Sequence, residues 1–313
     1  NGAIYNYREV REKLIAKGLS FKTDVDTEVL VRAYEYWGEQ CYQYLKGMWA
    51  SIIFDIEHEE IVVSRDRFGI KPLYYSFSAS GDIVLASEIK AIFKVDNNLN
   101  NTNNQYLLNY LKYGFIHYST ETVFKNINIC PSSSFSVYKL DSNAQNFVFR
   151  KYWSLKKNSV TRSSSFDENC QKFTLLWEEV IDLYLTADFE IGSCLSGGLD
   201  SSSIVATVAN KFQKNIKTFT LGFEESEVNE LSYARAITDS SDKIDSTFVT
   251  FSSRQVLDLV EEMYEYHDQP FPDFSIVGQW KVMSSIKADG LRIVFDGQGG
   301  DELLAGYRKY YGF

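Results

Sequence analysis

The residues best suited to chemistry lie in a short stretch at positions 196–202, which reads Ser-Gly-Gly-Leu-Asp-Ser-Ser between a strand-like and a helix-like run. Two adjacent glycines let the backbone fold tightly enough to direct several N–H groups at one anion, and the start of a helix adds partial positive charge. Serine hydroxyls supply further donors, while Asp200 makes sense as a magnesium ligand. The stretch therefore predicts a loop that binds a magnesium polyphosphate.

This pattern differs from two better-known phosphate loops. It lacks the Gly-Lys-Ser/Thr ending of a Walker A loop. Its glycines, Gly197 and Gly198, are adjacent, whereas a dinucleotide-binding turn spaces them as Gly-x-Gly-x-x-Gly. The alternative interpretation is an ordinary strand-to-helix turn with a Ser/Asp cap. The complete seven-residue string in its strand-to-helix context favours the phosphate loop.

A second string, at 293–306, repeats the plan of strand, glycine-rich loop and helix. Asp301 and Glu302 lie in the opening turn of its helix, where acidic residues alone would simply complement the helix dipole. Two such loops at neighbouring strand ends could hold one nucleotide and place Asp200 and Asp301 on the same magnesium ion. The pairing of the two strings favours the metal-binding interpretation.

The first 150 residues have a β-rich pattern. Helix-like segments at 7–17 and 26–37 precede short β-branched and aromatic runs at 49–56, 60–65, 73–77 and 83–87. These runs are separated by turn residues, and they predict hairpins packed into layered sheets. A polar stretch at 156–168 then has the composition of a connector.

Beyond the connector, strand-like and helix-like segments alternate. Strands are predicted at 189–195, 216–223, 247–251 and 291–295, and helices at 201–212, 227–240, 254–267, 274–288 and 300–311. Such alternation predicts a parallel sheet with helices on both faces and with ligands at the carboxyl ends of its strands. Both glycine-rich loops would lie at that edge.

The composition excludes two classes of protein. A net charge of −10, from 32 Lys and Arg against 42 Asp and Glu, excludes a nucleic-acid binder that depends on phosphate contacts. No run approaches the roughly 18 apolar residues of a membrane helix, which excludes a membrane-spanning protein. The four cysteines are far apart and predict a reducing, cytoplasmic location.

Five motifs together resemble a known family. They are residues 1–7 (Asn-Gly-Ala-Ile-Tyr-Asn-Tyr), 26–29 (Asp-Thr-Glu-Val), 64–75 (Ser-Arg-Asp-Arg-Phe-Gly-Ile-Lys-Pro-Leu-Tyr-Tyr), the loop at 196–202 and the string at 296–307. In this order the sequence resembles the asparagine synthetase class of glutamine-dependent amidotransferases, whose synthetase half belongs to the PP-loop ATP pyrophosphatases. The resemblance covers nearly the entire chain.

The resemblance implies an α/β protein of two domains. The first, at 1–155, would be a truncated αββα N-terminal-nucleophile hydrolase domain that releases ammonia from glutamine. The second, at 168–313, would be a doubly wound parallel-sheet PP-loop domain that uses ATP and Mg²⁺ to activate a carboxylate as its acyl-adenylate. With aspartate as the first choice of substrate, the β-aspartyl-adenylate and ammonia would give asparagine, AMP and pyrophosphate. The resemblance also allows a homodimer.

The resemblance further implies roles for individual residues. Asn1 and Gly2 would form the oxyanion hole of the glutaminase, through a side-chain amide and a backbone N–H respectively. Asp26 would hold the α-amino group of glutamine, with a helix N-cap as the alternative. Asp200 and Asp301 would bind magnesium, and Gln298 would lie at the acceptor and ammonia site. Contacts with ATP are implied for Leu195, Ser196, Gly197, Gly198, Asp200, Ser201, Ser202, Leu221, Asp296 and Gly297.

Several departures from the family pattern limit these expectations. The nucleophilic cysteine of the family would precede Asn1, and the basic residue expected near the acceptor would follow Phe313, so we interpret the sequence as an inactive internal fragment. Ala3 replaces a glutamate that lies beside the glutamine substrate in many members. Gln298 replaces a glutamate of many asparagine synthetases, and a neutral amide cannot accept a proton from attacking ammonia.

Two alternatives to asparagine formation therefore stay open. The first is an amidotransferase for another carboxylate, such as a sugar acid of a surface polysaccharide, and Gln298 is its best support. The second is a non-catalytic nucleotide-binding relative. Two conspicuous stretches, at 65–75 and 106–118, are interpreted as structural, the former as a charged turn and the latter as aromatic packing.

Overall fold

A computed structural model describes residues 1–116, 118–140, 147–155, 165–187, 189–223, 230–271, 273–307 and 310, with the backbone alone at residue 251. The chain divides into two compact units. Unit 1 comprises Asn1–Val160 and His267–Pro272, and unit 2 comprises Thr161–Tyr266 and Asp273–Phe313. In the described residues, no helix is long and apolar enough to cross a membrane.

Unit 1 contains two antiparallel sheets. A five-stranded sheet has the order β1-β2-β3-β7-β8, and a three-stranded sheet has the order β5-β4-β6. The strands are β1 (Gly2–Ile4), β2 (Gly47–Asp55), β3 (Glu60–Arg65), β4 (Tyr74–Phe77), β5 (Ile83–Ala86), β6 (Asn128–Ile129), β7 (Ser134–Lys139) and β8 (Arg150–Lys151). The helices are α1 (Tyr7–Ile15), α2 (Asp26–Trp37), α3 (Ile89–Val95) and α4 (Asn104–Tyr113).

Three apolar clusters stack these elements into four layers. Alternate side chains of a strand point to opposite faces, so Val62 packs with the residues of α1 and α2, whereas Val63 packs towards the second sheet. On the far side of that sheet, Tyr74 packs against Ile89 and Ile92 of α3. The order helix, sheet, sheet, helix confirms the predicted αββα architecture.

Unit 2 is built on one parallel sheet with the strand order β11-β10-β9-β12. Its strands are β9 (Ile191–Cys194), β10 (Ile216–Phe223), β11 (Ile244–Phe251) and β12 (Ile293–Phe295). Its helices are α5 (Phe166–Tyr184), α6 (Leu199–Ala206), α7 (Leu231–Thr238), α8 (Val256–Tyr264), α9 (Ser275–Ala288) and α10 (Gly300–Leu304). One cluster packs α5, α6 and α7 around Leu195, and another packs α9 against Phe219. Helices therefore cover both faces, which confirms the predicted doubly wound sheet.

The structure differs from the predicted elements at several places. In unit 1, helices α3 and α4 were not predicted. Helix α5 was not predicted, although Ser165 and Glu168 form a capping box at its start. Helix α6 ends at Ala206, and a π-helical turn follows. The helix predicted at 300–311 ends at Leu304, because Ala305 has a φ of +58° and leaves the helical conformation. Residues 308, 309 and 311 lie outside the described residues.

Candidate functional site

The two glycine-rich loops of unit 2 leave the carboxyl ends of adjacent strands. Strands β9 and β12 run parallel, with Phe295 opposite Ser193. From β9 the chain continues through α6 to β10 on one side, whereas β12 lies on the other side of β9. The strand order reverses at this point, and open parallel sheets bind ligands in the crevice at such a reversal. Residues 196–202 and 296–301 therefore border one crevice.

Serine hydroxyls hold the first loop in a tight turn. The Oγ atom of Ser201 accepts a hydrogen bond from the N–H of Ser196 at 3.2 Å, and the Oγ atom of Ser196 accepts one from the N–H of Gly198 at 3.2 Å. The first three N–H groups of α6 have no acceptor within the helix. Ser202 adds a buried Oγ atom that has no hydrogen-bond partner among the described residues. These donors suit an anion with several oxygen atoms, such as a polyphosphate.

Two glycines allow the loops to pack against their neighbours. Gly197 has a φ of +81°, and a Cβ atom there would lie 2.6 Å from Cβ of Tyr233 in α7. A Cβ atom on Gly300 would lie 2.6 Å from Cγ of Asp200. Contacts under 3.0 Å are too short for real Cβ atoms. The first loop thus rests on α7, and the start of α10 rests on the Asp200 carboxylate.

The structure places the backbone at Asp301 close to the Asp200 side chain, and these two residues are the predicted magnesium ligands. Asp301 directly follows Gly300, which touches Asp200. The Asp301 carboxylate itself points towards Gly306, where an added Cβ atom would lie 2.9 Å from its Cγ atom. In the described part of the chain, no group of three or more His, Cys, Asp or Glu side chains could hold a metal ion. Asp200 and Asp301 have the donor chemistry that magnesium requires, because this ion typically takes one or two carboxylates and its other ligands from phosphate and water.

Leu195 and Leu221, which are also predicted to contact ATP, differ in how much of their surface is exposed. Leu195 is buried in the core, with 1% of its surface exposed, and its N–H donates to the carbonyl of Phe219 at 2.9 Å. It can therefore offer a ligand little beyond its own carbonyl group. Leu221 is half-buried near the carboxyl end of β10, where its side chain packs over Gly278 of α9.

The loop after β12 carries Asp296, Gly297 and Gln298. The Asp296 carboxylate is exposed and accepts a hydrogen bond from the N–H of Gln298 at 3.3 Å. Burial raises the pKa of the Cys194 thiol to about 12, and the nearby charge of Asp296 adds to this effect. Gly297 lies against the opening turn of α6, since a Cβ atom there would lie 3.3 Å from the Ser201 nitrogen. The second loop therefore borders the first loop over several residues.

In unit 1, the backbone of β1 leaves the N–H of Gly2 free of the sheet. Asn1 and Ala50 exchange two main-chain hydrogen bonds, of 3.2 and 2.8 Å. Hydrogen-bonded and non-bonded pairs alternate along an antiparallel ladder, so the next pair, Gly2 and Trp49, makes no such bonds. Strand β1 lies at the edge of the sheet, and the Gly2 N–H points away from β2. This orientation suits a donor to an oxyanion.

Asp26 lies close to the same edge strand. Its Oδ2 atom accepts a hydrogen bond from the N–H of Ile4 at 2.9 Å, which ties α2 to β1. The N-cap of α2 is Val25, and Asp26 is the first helical residue, so the alternative interpretation of Asp26 as an N-cap is wrong. Ile4 follows Gly2 by two residues along β1, so its N–H points to the same open edge of the sheet. The half-buried Asp26, which accepts from Ile4, therefore lies at the edge to which the Gly2 N–H points.

Comparison with known proteins matches both halves of the chain. A sequence model of the glutamine amidotransferase domain matches residues 1–153, and a model of asparagine synthase matches residues 174–313. The chain combines a glutamine amidotransferase domain with an asparagine synthase domain. The predicted domain limits, 155 and 168, lie close to the ends of these matches but stay predictions.

Individual relatives match almost all of the chain. Asparagine synthetase [glutamine-hydrolyzing] 1 of Bacillus subtilis is 30% identical over 310 residues, covering 99% of this chain and 47% of the relative. A putative asparagine synthetase [glutamine-hydrolyzing] of Methanocaldococcus jannaschii is 32% identical, covering 99% and 58%. Amidase chyE of Penicillium rubens is 26% identical, covering 99% and 47%. The chain thus spans about half the length of the curated relatives it matches.

One solved structure is a more distant match. Glutamine phosphoribosylpyrophosphate amidotransferase from Bacillus subtilis has a TM-score of 0.35 and 14% identity, and the match covers 79% of this chain and 60% of that chain. So low a TM-score supports no inference about this chain.

The charged turn that marks the asparagine synthetase family is structural in unit 1. The Arg65 guanidinium donates to the carbonyl groups of Gly69, Lys71 and Cys130, at 2.5 to 2.8 Å. Burial lowers the pKa of Arg65, and these three acceptors compensate for its lost hydration. The interpretation of 65–75 as a charged turn is confirmed. So is the aromatic packing at 106–118, since Tyr106 is fully buried and stacks on Tyr118.

Some residues that shape the candidate sites were not predicted from the sequence. Tyr233 and Ala234 of α7 support Gly197, and their positions depend on tertiary packing that no local pattern indicates. The Asp66 carboxylate lies beside β2 and accepts hydrogen bonds from four main-chain N–H groups. The sequence signal for Asp66 was the Arg65-Asp66 pair at the end of β3, which predicted only a charged turn.

Proposed function

We propose that the full-length protein is an ATP- and glutamine-dependent amidotransferase that converts aspartate into asparagine. The main support for this proposal is the contact of Gly300 with the Asp200 carboxylate, at the point where the strand order reverses. Through this contact, two glycine-rich loops and two aspartates border one crevice in unit 2. Unit 1 supplies the second requirement, a free N–H group at Gly2 beside Asn1 and Asp26.

In the glutaminase reaction, a cysteine upstream of Asn1 would attack the side-chain amide of glutamine. The Asn1 amide and the Gly2 N–H would donate to the oxygen atom that becomes negative in the tetrahedral intermediate. Asp26 would bind the α-amino group of the substrate through its free carboxylate lone pairs. Ammonia and glutamate would be the products, with the glutamate released by hydrolysis of a thioester.

In the synthetase reaction, the aspartate β-carboxylate would attack the α-phosphorus of ATP, and pyrophosphate would leave. The main-chain N–H groups and hydroxyls of residues 196–202 would donate to the pyrophosphate oxygen atoms, where charge accumulates. Asp200 and Asp301 would hold a magnesium ion that neutralises part of this charge. Leu221, Asp296 and Gly297 would border the adenosine, and Gln298 would face the acyl carbon where ammonia attacks.

Exchange of labelled pyrophosphate into ATP tests this proposal. The full-length protein should catalyse exchange that depends on aspartate and magnesium. Asp200→Asn should abolish it. Asp289→Asn should leave it intact, because Asp289 forms a surface ion pair with Lys217 at the amino ends of the strands, whereas both loops follow the carboxyl ends. Exchange that is no greater with aspartate than without it would refute asparagine synthesis.

A second candidate is amidation of another carboxylate, and the neutral side chain of Gln298 favours it. The similarity to a protein named as an amidase, at 26% identity, is compatible with this alternative. The same exchange assay distinguishes the two, because a sugar acid or another carboxylate would then promote exchange and aspartate would not. Nucleotide binding without exchange for any carboxylate would favour the non-catalytic relative.

We further propose that the full-length protein is cytoplasmic and forms a homodimer. The free thiols of Cys41, Cys130, Cys170 and Cys194 are compatible with a reducing compartment. Fractionation of cells and the mass of the full-length protein in solution test these two points directly.

A further inference from the structure

A buried aspartate, Asp66, lies beside β2 on the side opposite to β1, the strand that contains Gly2. Asp66 follows the last residue of β3 and exposes none of its surface. A buried carboxylate is costly unless hydrogen bonds compensate for its lost hydration. Its carboxylate accepts bonds of 3.0 to 3.2 Å from the N–H groups of Trp49, Phe68, Ile70 and Lys71.

Asp66 holds β2 at the residue where the ladder between β2 and β3 ends. The last paired residues are Ala50 and Arg65. Beyond them, the N–H of Asp66 donates to the carbonyl of Trp49 at 2.9 Å, and the N–H of Trp49 donates to Oδ2 of Asp66 at 3.2 Å. The carboxylate therefore takes the place of a main-chain carbonyl, and both backbone polar groups of Trp49 bond to Asp66.

The position of Gly2 follows that of Trp49. The two residues are partners across β1 and β2, and a Cβ atom on Gly2 would lie 2.7 Å from Cα of Trp49. Strand β1 has three residues and lies at the edge of its sheet, where β2 is its neighbour. A shift of Trp49 by a fraction of an ångström must consequently move Gly2 or open the contact.

Resting on the proposed glutaminase function, we propose that Asp66 is a positioning residue for the oxyanion hole of Asn1 and Gly2. It acts through Trp49 and does not touch the substrate. Oxyanion donors stabilise a transition state only when they are held at hydrogen-bond distance from the developing charge, and a misplacement of about 1 Å can cost about 10²-fold in rate. Loss of the Asp66 carboxylate should thus slow the chemical step more than it weakens glutamine binding.

Arg65 offers a matched control. It is also buried, and it anchors the same turn through bonds to Gly69, Lys71 and Cys130. Among the described residues, none of the hydrogen bonds of its guanidinium goes to β2. Arg65→Lys therefore disturbs the turn without removing the acceptor for Trp49.

The test measures kcat and KM for glutamine hydrolysis by the full-length protein. Asp66→Asn presents an NH₂ group to two of the four N–H donors, so we expect kcat to fall by about 10- to 100-fold while KM changes by less than about threefold. Arg65→Lys should keep kcat within about threefold of the wild type. Synthesis with added ammonia, which bypasses unit 1, should be unchanged in both variants.

A double-mutant cycle separates positioning from general destabilisation. If Asp66 acts through the oxyanion hole, its substitution should cost much less in an Asn1→Ala background than in the wild type. If Asp66→Asn does not fold, Asp66→Glu serves the same test, because it keeps the charge and displaces it by one methylene. A wild-type kcat in these variants, a loss matched by Arg65→Lys, or full additivity with Asn1→Ala overturns the inference. A wild-type protein without glutaminase activity would instead refute the proposed function on which the inference rests.

Discussion

Replacing Gly300 by alanine isolates the contact between the two loops of unit 2. The new Cβ atom would lie 2.6 Å from Cγ of Asp200 and closer still to its Oδ2 atom, whereas ordinary contacts begin at 3.4 Å, so one partner must move by at least roughly 0.8 Å. Misplacement of a binding group by about 1 Å can cost about 10²-fold in rate. We therefore expect pyrophosphate exchange to fall by roughly 30- to 100-fold.

Stability should change little in the same variant. The φ of Gly300 is not positive, and the group that its new Cβ atom would displace is the end of the Asp200 side chain rather than backbone, so the steric cost to the fold is small. Gly290→Ala provides the control, because a Cβ atom there has no neighbour within 4 Å, although its φ of +83° makes alanine strained.

The two variants should thus show opposite profiles. Gly290→Ala is expected to lose thermal stability and keep its exchange rate, whereas Gly300→Ala should lose exchange and keep most of its stability. Calorimetry and the exchange assay on the same preparations provide both readouts. Exchange at the wild-type rate in Gly300→Ala would refute the role assigned to the contact.

Three further predictions concern unit 1. Gly2→Ala should abolish glutamine hydrolysis and leave ammonia-dependent synthesis intact, because a side chain at Gly2 would collide with the backbone of β2; equal loss of both activities would contradict this. Asp26→Asn should raise KM for glutamine at least about tenfold with a smaller change in kcat, and an unchanged KM would exclude Asp26 from substrate binding. The Thr23 hydroxyl and the Lys22 N–H lower the pKa of Glu28 from 4.5 to about 2, so Glu28 stabilises the fold fully above pH 4.5 and loses this contribution as the pH falls towards 2. Urea unfolding should therefore show that Glu28→Gln is less stable than the wild type at pH 6, with a difference that narrows below pH 4; a constant difference would disprove the assignment.

Local patterns predicted those parts of the fold that depend on local physics. Helix α2 and strands β3 and β10 have the predicted limits, because their apolar spacing and flanking turn residues agree. The helix predicted at 300–311 is longer than α10, because Ala305 adopts a left-handed conformation that is expected for glycine and not for alanine. Helix α5 was not predicted, because its capping box at Ser165 and Glu168 lies within a polar stretch that has the composition of a connector.

The candidate site likewise combines features that a local sequence pattern predicts with features that depend on tertiary packing. The loop at 196–202 was recognisable from glycine, serine and aspartate in one strand-to-helix turn. The support of Gly197 by α7 and the place of Asp66 beneath β2 arise from tertiary packing between distant segments, so the sequence alone offered no spacing from which to infer them. The free N–H of Gly2 likewise depends on which residue of β2 it faces.

The most direct test of the account is a crystal structure of the full-length protein with Mg²⁺ and an ATP analogue that cannot be cleaved. The β- and γ-phosphates should accept hydrogen bonds from the main chain of residues 196–202, and one metal ion should lie between Asp200 and Asp301. Phosphates bound elsewhere, or a metal ion that contacts neither aspartate, would contradict it.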